Sequence, residues 1–257
     1  MANLGWTAFY GLLAVAPLML AHEVMHGFGG ALFGHGSVIN MNAANPQGLE
    51  STAQWVIFAL SGTIYLFYLT LVRLSAFRKW HELYLLVVAL VAGTVHQVGF
   101  FLDLIRIMKH GSLGDSNRSD AFHAGAILWN NGPLIGYKLP WWEITFASGW
   151  PSLLIFTVLT ITMATWFLFS WELVGVLPSL NRQNRFLMAL AALFVMFFGA
   201  ASVHHFYSLL ASLIHASTDW EWSGSSTTIL VLGLVLIGIP IFIWVRGGLS
   251  VRSYSWR

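Results

Sequence analysis

Residues 18–34 read Leu18-Met19-Leu20-Ala21-His22-Glu23-Val24-Met25-His26-Gly27-Phe28-Gly29-Gly30-Ala31-Leu32-Phe33-Gly34, an apolar run interrupted by three polar side chains within five positions. Residues four apart on an α-helix lie one turn above each other on the same face, so His22 and His26 can direct two imidazoles at one ion. Glu23, next to them, can reach a water bound to that ion, which is the chemistry of a His-Glu-x-x-His motif. Polar groups at the end of an apolar run are costly in lipid and are usually kept for a task. The ordinary alternative is a pair of structural helix histidines.

Working outward from that turn, the composition says what surrounds it. Of 257 residues, 57% are hydrophobic and 9% charged, against roughly 25% charged in an ordinary soluble domain. The expected solvent is lipid. Twelve basic and ten acidic residues leave a formal charge of +2, too small and too dispersed for a nucleic-acid partner, and that class is excluded. Cysteine is absent, which excludes disulfides, thiolate metal sites and cysteine nucleophiles together. Any metal must be held by His, Asp or Glu. The start at Met1 to Asn3 lacks a basic region, and the run after it leads into the histidine motif rather than to a small-residue cleavage site, so it reads as a retained membrane helix.

Apolar runs of about the 20 residues needed to cross a bilayer fall near 5–34, 54–74, 82–108, 142–171, 186–214 and 227–246. The expected fold is an all-α integral membrane protein of six transmembrane helices forming a single membrane domain, 1–257. Residues 1–125 hold a core of three helices, and 140–257 add three more of unassigned role. Between the first two helices, Gly36 to Ser51 (GSVINMNAANPQGLES) partly alternates apolar and polar residues before an Asn-Pro-Gln-Gly turn signal, which predicts a small hairpin or re-entrant loop. Basic residues cluster after the second helix (Arg73, Arg78, Lys79), the fourth (Arg182, Arg185) and the sixth (Arg246, Arg252, Arg257). The positive-inside rule then places both termini in the cytoplasm, with Asp219 and Glu221 outside. The end of the third helix returns to the side where the first helix ends.

Zinc suits nitrogen and oxygen ligands and needs a third protein ligand beside the two histidines. Two aspartates compete for that place. Asp103 sits in VGFFLDLIRIM, where an ionisable group needs a partner such as a metal or Arg106. Asp120 lies in the polar stretch GDSNRSDAFHAG, where it also reads as a loop residue or helix N-cap. Asp103 is the preferred ligand, because its burial is harder to explain otherwise, and Asp120 is the alternative. His96 lies one heptad before Asp103 on nearly the same face and can support substrate, as can Arg106 and Asn45. His204, His205 and His215 are weaker candidates, since adjacent histidines point in different directions. Asp115, His110 and His123 read as loop residues, with His123 close enough to Asp120 to support it.

These residues resemble the site-2 protease family of intramembrane zinc metalloproteases, in its shorter, divergent bacterial branch. HEVMHGFGGALFG is similar to the family's first core helix, which implies His22 and His26 as zinc ligands and Glu23 as catalytic base. VINMNAANPQGLES resembles the hairpin that follows, and FALSGTIYLF the next helix with its Ala-x-Gly-Pro element. LDLIRI resembles the Leu-Asp-Gly-Gly-Arg-Ile motif that supplies the third ligand, here Asp103, with Arg106 and Ile107 matching too. Some divergent members carry a Ser-Asp-Ala element, matched by Ser119-Asp120-Ala121. The sequence departs from the family at Met25 for a Gly, Thr63 for a Pro and Leu104-Ile105 for a glycine pair. The resemblance implies an endopeptidase of the bacterial inner membrane that cleaves transmembrane helices of other proteins, with the hairpin at 36–52 receiving the unwound substrate as an added strand. A second reading is a catalytically silent relative serving as an assembly factor or subunit of a membrane complex, for which 13 Trp and 19 Phe would suit helix contacts. A third is a redox protein using its histidines as haem ligands. In either metal reading, both imidazoles and one carboxylate of Asp103 or Asp120 should converge on a point.

Overall fold

The computed structural model describes residues 2–40, 43–80, 98–113, 119–133, 139–176, 184, 186–191 and 221–246. In chain order these form α1 (Ala2–Ala31), β1 (Ser37–Ile39), β2 (Ala44–Pro46), α2 (Thr52–Trp80), α3 (Val98–His110), α4 (Asp120–Asn130), α5 (Trp141–Phe146), α6 (Gly149–Val176), β3 (Trp222–Gly224) and α7 (Ser226–Arg246). Three helices are long and apolar enough to cross a bilayer: Thr52–Arg78, Gly149–Glu172 and Ser226–Val245. They match the spans expected at 54–74 and 227–246 and cover most of the one expected at 142–171. Residues 82–97 and 192–214, which carry much of two further expected spans, lie outside the described residues.

The helix ends follow local chemistry. At the start of α2, Ser51 Oγ accepts the Gln54 N–H at 3.3 Å, while Gln54 Oε1 accepts the N–H groups of Ser51 and Glu50 at 3.0 and 2.8 Å. That reciprocal arrangement satisfies N–H groups that have no partner inside a helix. The run expected as one span at 142–171 is instead broken between α5 and α6. Pro151 is the cause, since its ring would clash with the carbonyl four residues back and it has no N–H to give. In the first turn of α6 that missing N–H costs nothing. The freed groups at the break are used locally: Ala147 and Ser148 N–H both reach Glu143 O, and Ser152 Oγ donates to Thr145 O at 2.6 Å.

The expected hairpin is present, with β1 and β2 antiparallel and Val38 opposite Asn45. Its third member has no local signature in the sequence. Strand β3 pairs antiparallel with the other edge of β1, Val38 opposite Ser223, in the order β2-β1-β3. The position that an incoming strand would take beside β1 is therefore filled by the chain itself. Ser225 then caps α7 through a bond from the Thr228 N–H.

Several apolar cores hold the described elements, and two of them bear on the site. One gathers Phe67 of α2, Phe100 and Ile107 of α3, Ala121, Phe122 and Ala126 of α4, and Ile155 and Leu159 of α6. The other joins Val24 and Ala31 of α1 to Ile39 of β1 and Ile229 of α7. Much of the outer surface is apolar as well: Leu234 and Phe242 of α7 are 62% and 58% exposed.

Ile229 is fully buried where α1, the sheet and α7 meet. Ile229→Ala is expected to cost about 2–5 kcal/mol through the cavity it leaves, seen as a lower melting temperature in detergent. Leu234→Ala, on the outer face of the same helix, should leave the melting temperature unchanged.

Candidate metal centre

His22 and His26 lie in the last third of α1, and both are buried. Their Nε2 atoms approach to 3.0 Å, with the rings nearly perpendicular at 82°. The third member is Asp120, the first residue of α4, whose Oδ2 stands 3.5 Å from His22 Nε2 and 3.4 Å from His26 Nε2. Among the described residues these three form the one group able to hold a metal ion. A tetrahedral ion with bonds of about 2.0–2.1 Å separates its ligand atoms by roughly 3.3 Å. The observed edges of 3.0, 3.4 and 3.5 Å bracket that spacing, so the donor set fits one ion of zinc size and leaves a fourth position to other ligands.

The surroundings orient His26 and Asp120. His26 Nδ1 lies 2.8 Å from Phe58 O on α2, and donating to that carbonyl leaves Nε2 with its lone pair toward the cluster. Metal-ligating histidines are commonly oriented in this way. Asp120 sits in the first turn of α4, where the helix dipole favours a negative charge. Its Oδ2 also accepts the Thr63 hydroxyl at 2.5 Å. Helices α2 and α4 run past each other in opposite directions, and a second contact, from Thr52 Oγ1 to Asn131 Oδ1 at 3.0 Å, ties their far ends. Between the histidines and α2 there is room only for a hydrogen at residue 62. A Cβ placed on Gly62 would lie 2.6 Å from the His22 ring and from His26 Nε2.

Of the residues singled out in the sequence, the structure brings His22, His26 and Asp120 together. Glu23 is buried in the same turn of α1, 6% exposed. Asp103, the preferred third ligand, is buried too, but it is absent from the cluster. Its Oδ2 takes the N–H and hydroxyl of Ser119, and its Oδ1 faces Arg106 at 3.3 Å. Asn45 is exposed on β2, and His110 is exposed at the end of α3. His123 lies in α4, partly buried. His96, Asp115, His204, His205 and His215 lie outside the described residues.

The sequence reads Asp120 as a loop residue or a helix N-cap, and the structure makes it the first residue of α4, whose small residues Ala121, Ala124, Gly125 and Ala126 suit tight packing. All four are buried. Thr63 stood out only as a departure from a family pattern, whereas in the structure it is a hydrogen-bond donor to the acid. No protein-family model, curated protein or solved structure matches the chain.

Gly62→Ala pushes a methyl group into both imidazoles. It is expected to weaken binding of zinc or cobalt by at least about tenfold, the lower end of what disturbed ligand support costs. Equilibrium dialysis of the purified variant against the unmodified protein checks this.

Proposed function

We propose that the chain is an intramembrane zinc metallopeptidase of the site-2 protease type, acting on transmembrane segments of other proteins. The observation that carries the reading is the convergence of His22, His26 and Asp120 on one point beside α2, a helix long and apolar enough to cross a membrane. The motif around Glu23 supplies the reaction class. A bound divalent ion would contribute Lewis acidity, acidifying water and polarising a peptide carbonyl.

The chain's own groups do the rest. Phe58 O and the close packing at Gly62 fix the two imidazoles, and Thr63 fixes the carboxylate, so the donor set is pre-formed. Glu23 lies between His22 and His26 in the helical order, on the flank of the turn that presents them. From there its carboxylate takes the proton of an attacking water and passes it to the leaving nitrogen, a transfer worth about 10²–10⁴-fold in rate. Burial of the site keeps other nucleophiles away. Substrate must offer extended backbone, and the sheet has an outer edge on β2, where Asn45 is exposed. The positive-inside pattern supports an inner-membrane placement with both termini cytoplasmic.

Glu23→Gln is expected to keep the bound ion and its stoichiometry while losing at least about 10²-fold of cleavage of a transmembrane peptide in detergent or liposomes. Metal analysis and a cleavage assay on the same preparation test this. Bound metal with no cleavage by the unmodified protein on any transmembrane peptide would instead favour the silent subunit. Haem absorbance would favour the redox reading.

A further inference from the structure

Asp103 is 2% exposed, and a buried carboxylate is costly unless it is well partnered. Both of its oxygens have partners. Oδ2 accepts both the backbone N–H and the hydroxyl of Ser119, each at 2.8 Å, and Oδ1 faces Arg106 Nη1 at 3.3 Å. Ser119 is the N-cap residue of α4, yet its hydroxyl makes no cap bond to its own helix. The hydroxyl is turned to α3 instead. Helix α3 thus grips α4 at the residue joined directly to Asp120.

Only two soft torsions separate the anchored Ser119 from the Asp120 backbone, because the intervening peptide is planar. With the Ser119 N–H and hydroxyl both tied down, the first turn of α4 has a fixed origin. We infer that Asp103 is a positioning residue of the metal centre: through Ser119 it sets where the Asp120 carboxylate meets the two imidazoles, without touching the ion. Asp103 and Thr63 then act from opposite sides, one on the backbone before the ligand and one on the ligand oxygen itself. This inference rests on the metal reading of the cluster and is independent of whether the protein cleaves peptides.

The test is the affinity of the purified full chain for zinc by chelator competition, with cobalt absorption reporting the ligand set. Asp103→Leu removes both acceptors and is expected to bind one ion about 10–100-fold more weakly, with the cobalt spectrum of the unmodified protein. Asp103→Asn keeps an acceptor for Ser119 and should recover part of the loss. Ser119→Ala should weaken binding in the same direction, and pairing it with Asp103→Leu should add little, since both act along one path. Val174→Ala, a buried change in α6, should alter thermal stability but not affinity. Unchanged affinity in Asp103→Leu overturns the inference. So does loss of the ion with an altered cobalt spectrum as in Asp120→Asn, which would make Asp103 a ligand. If Asp103→Leu does not fold, unchanged affinity in Ser119→Ala overturns it. An unmodified protein that binds neither zinc nor cobalt overturns the metal reading as well.

Discussion

Two imidazoles and a carboxylate meet within 3.5 Å in the buried interior, where Glu23 of α1 and Thr63 of α2 are buried too. Burying a neutral polar group without compensation costs roughly 2–7 kcal/mol and an ionised carboxylate far more, so the environment has to satisfy the cluster. It does so from three helices. Helix α1 brings both histidines on one face, α2 supplies the Phe58 carbonyl, the space at Gly62 and the Thr63 hydroxyl, and α4 brings Asp120 at its N-terminus. A cation at the common point would complete the set, because one ligand atom from each of the three side chains lies close enough to hold it.

The rest of the fold can be understood as what keeps those three helices in register. Ala124 and Ile127 of α4 pack with Ala59 of α2 in a small core of their own. On the far side of α1, the sheet and α7 close over Val24, one residue from Glu23, through Ile39 and Ile229. Tyr68 of α2 donates to Ile237 O of α7 at 2.5 Å, so the last helix is also bound to the second. The chain's final described segment is thus part of the wall behind the motif, despite lying some 200 residues away in sequence.

Much of this was legible from local pattern. The i, i+4 spacing of His22 and His26 dictates a shared face whatever surrounds it, and long apolar runs announce α2, α6 and α7. What could not be read was set by contacts distant in sequence. Asp103 and Asp120 are both acids near the end of one helix and the start of the next, and burial alone favours either as ligand. The difference arises because Ser119 occupies Asp103, a pairing across 16 residues. Strand β3 is three residues long and has no hydrophobic alternation of its own, so its pairing with β1 has no local signature. Helix α4 was partly hidden by the polar residues before it, and the break at Pro151 was hidden by the apolar residues on both sides.

X-ray absorption at the metal edge of the purified protein addresses the central claim most directly, because it reports the ligands of the bound ion. Two imidazole nitrogens and a carboxylate oxygen at about 2.0–2.1 Å are the expected first shell, with the oxygen contribution reduced in Asp120→Asn. Protein that carries no ion, or an ion whose shell lacks imidazole, would contradict the claim that this buried cluster is a metal centre.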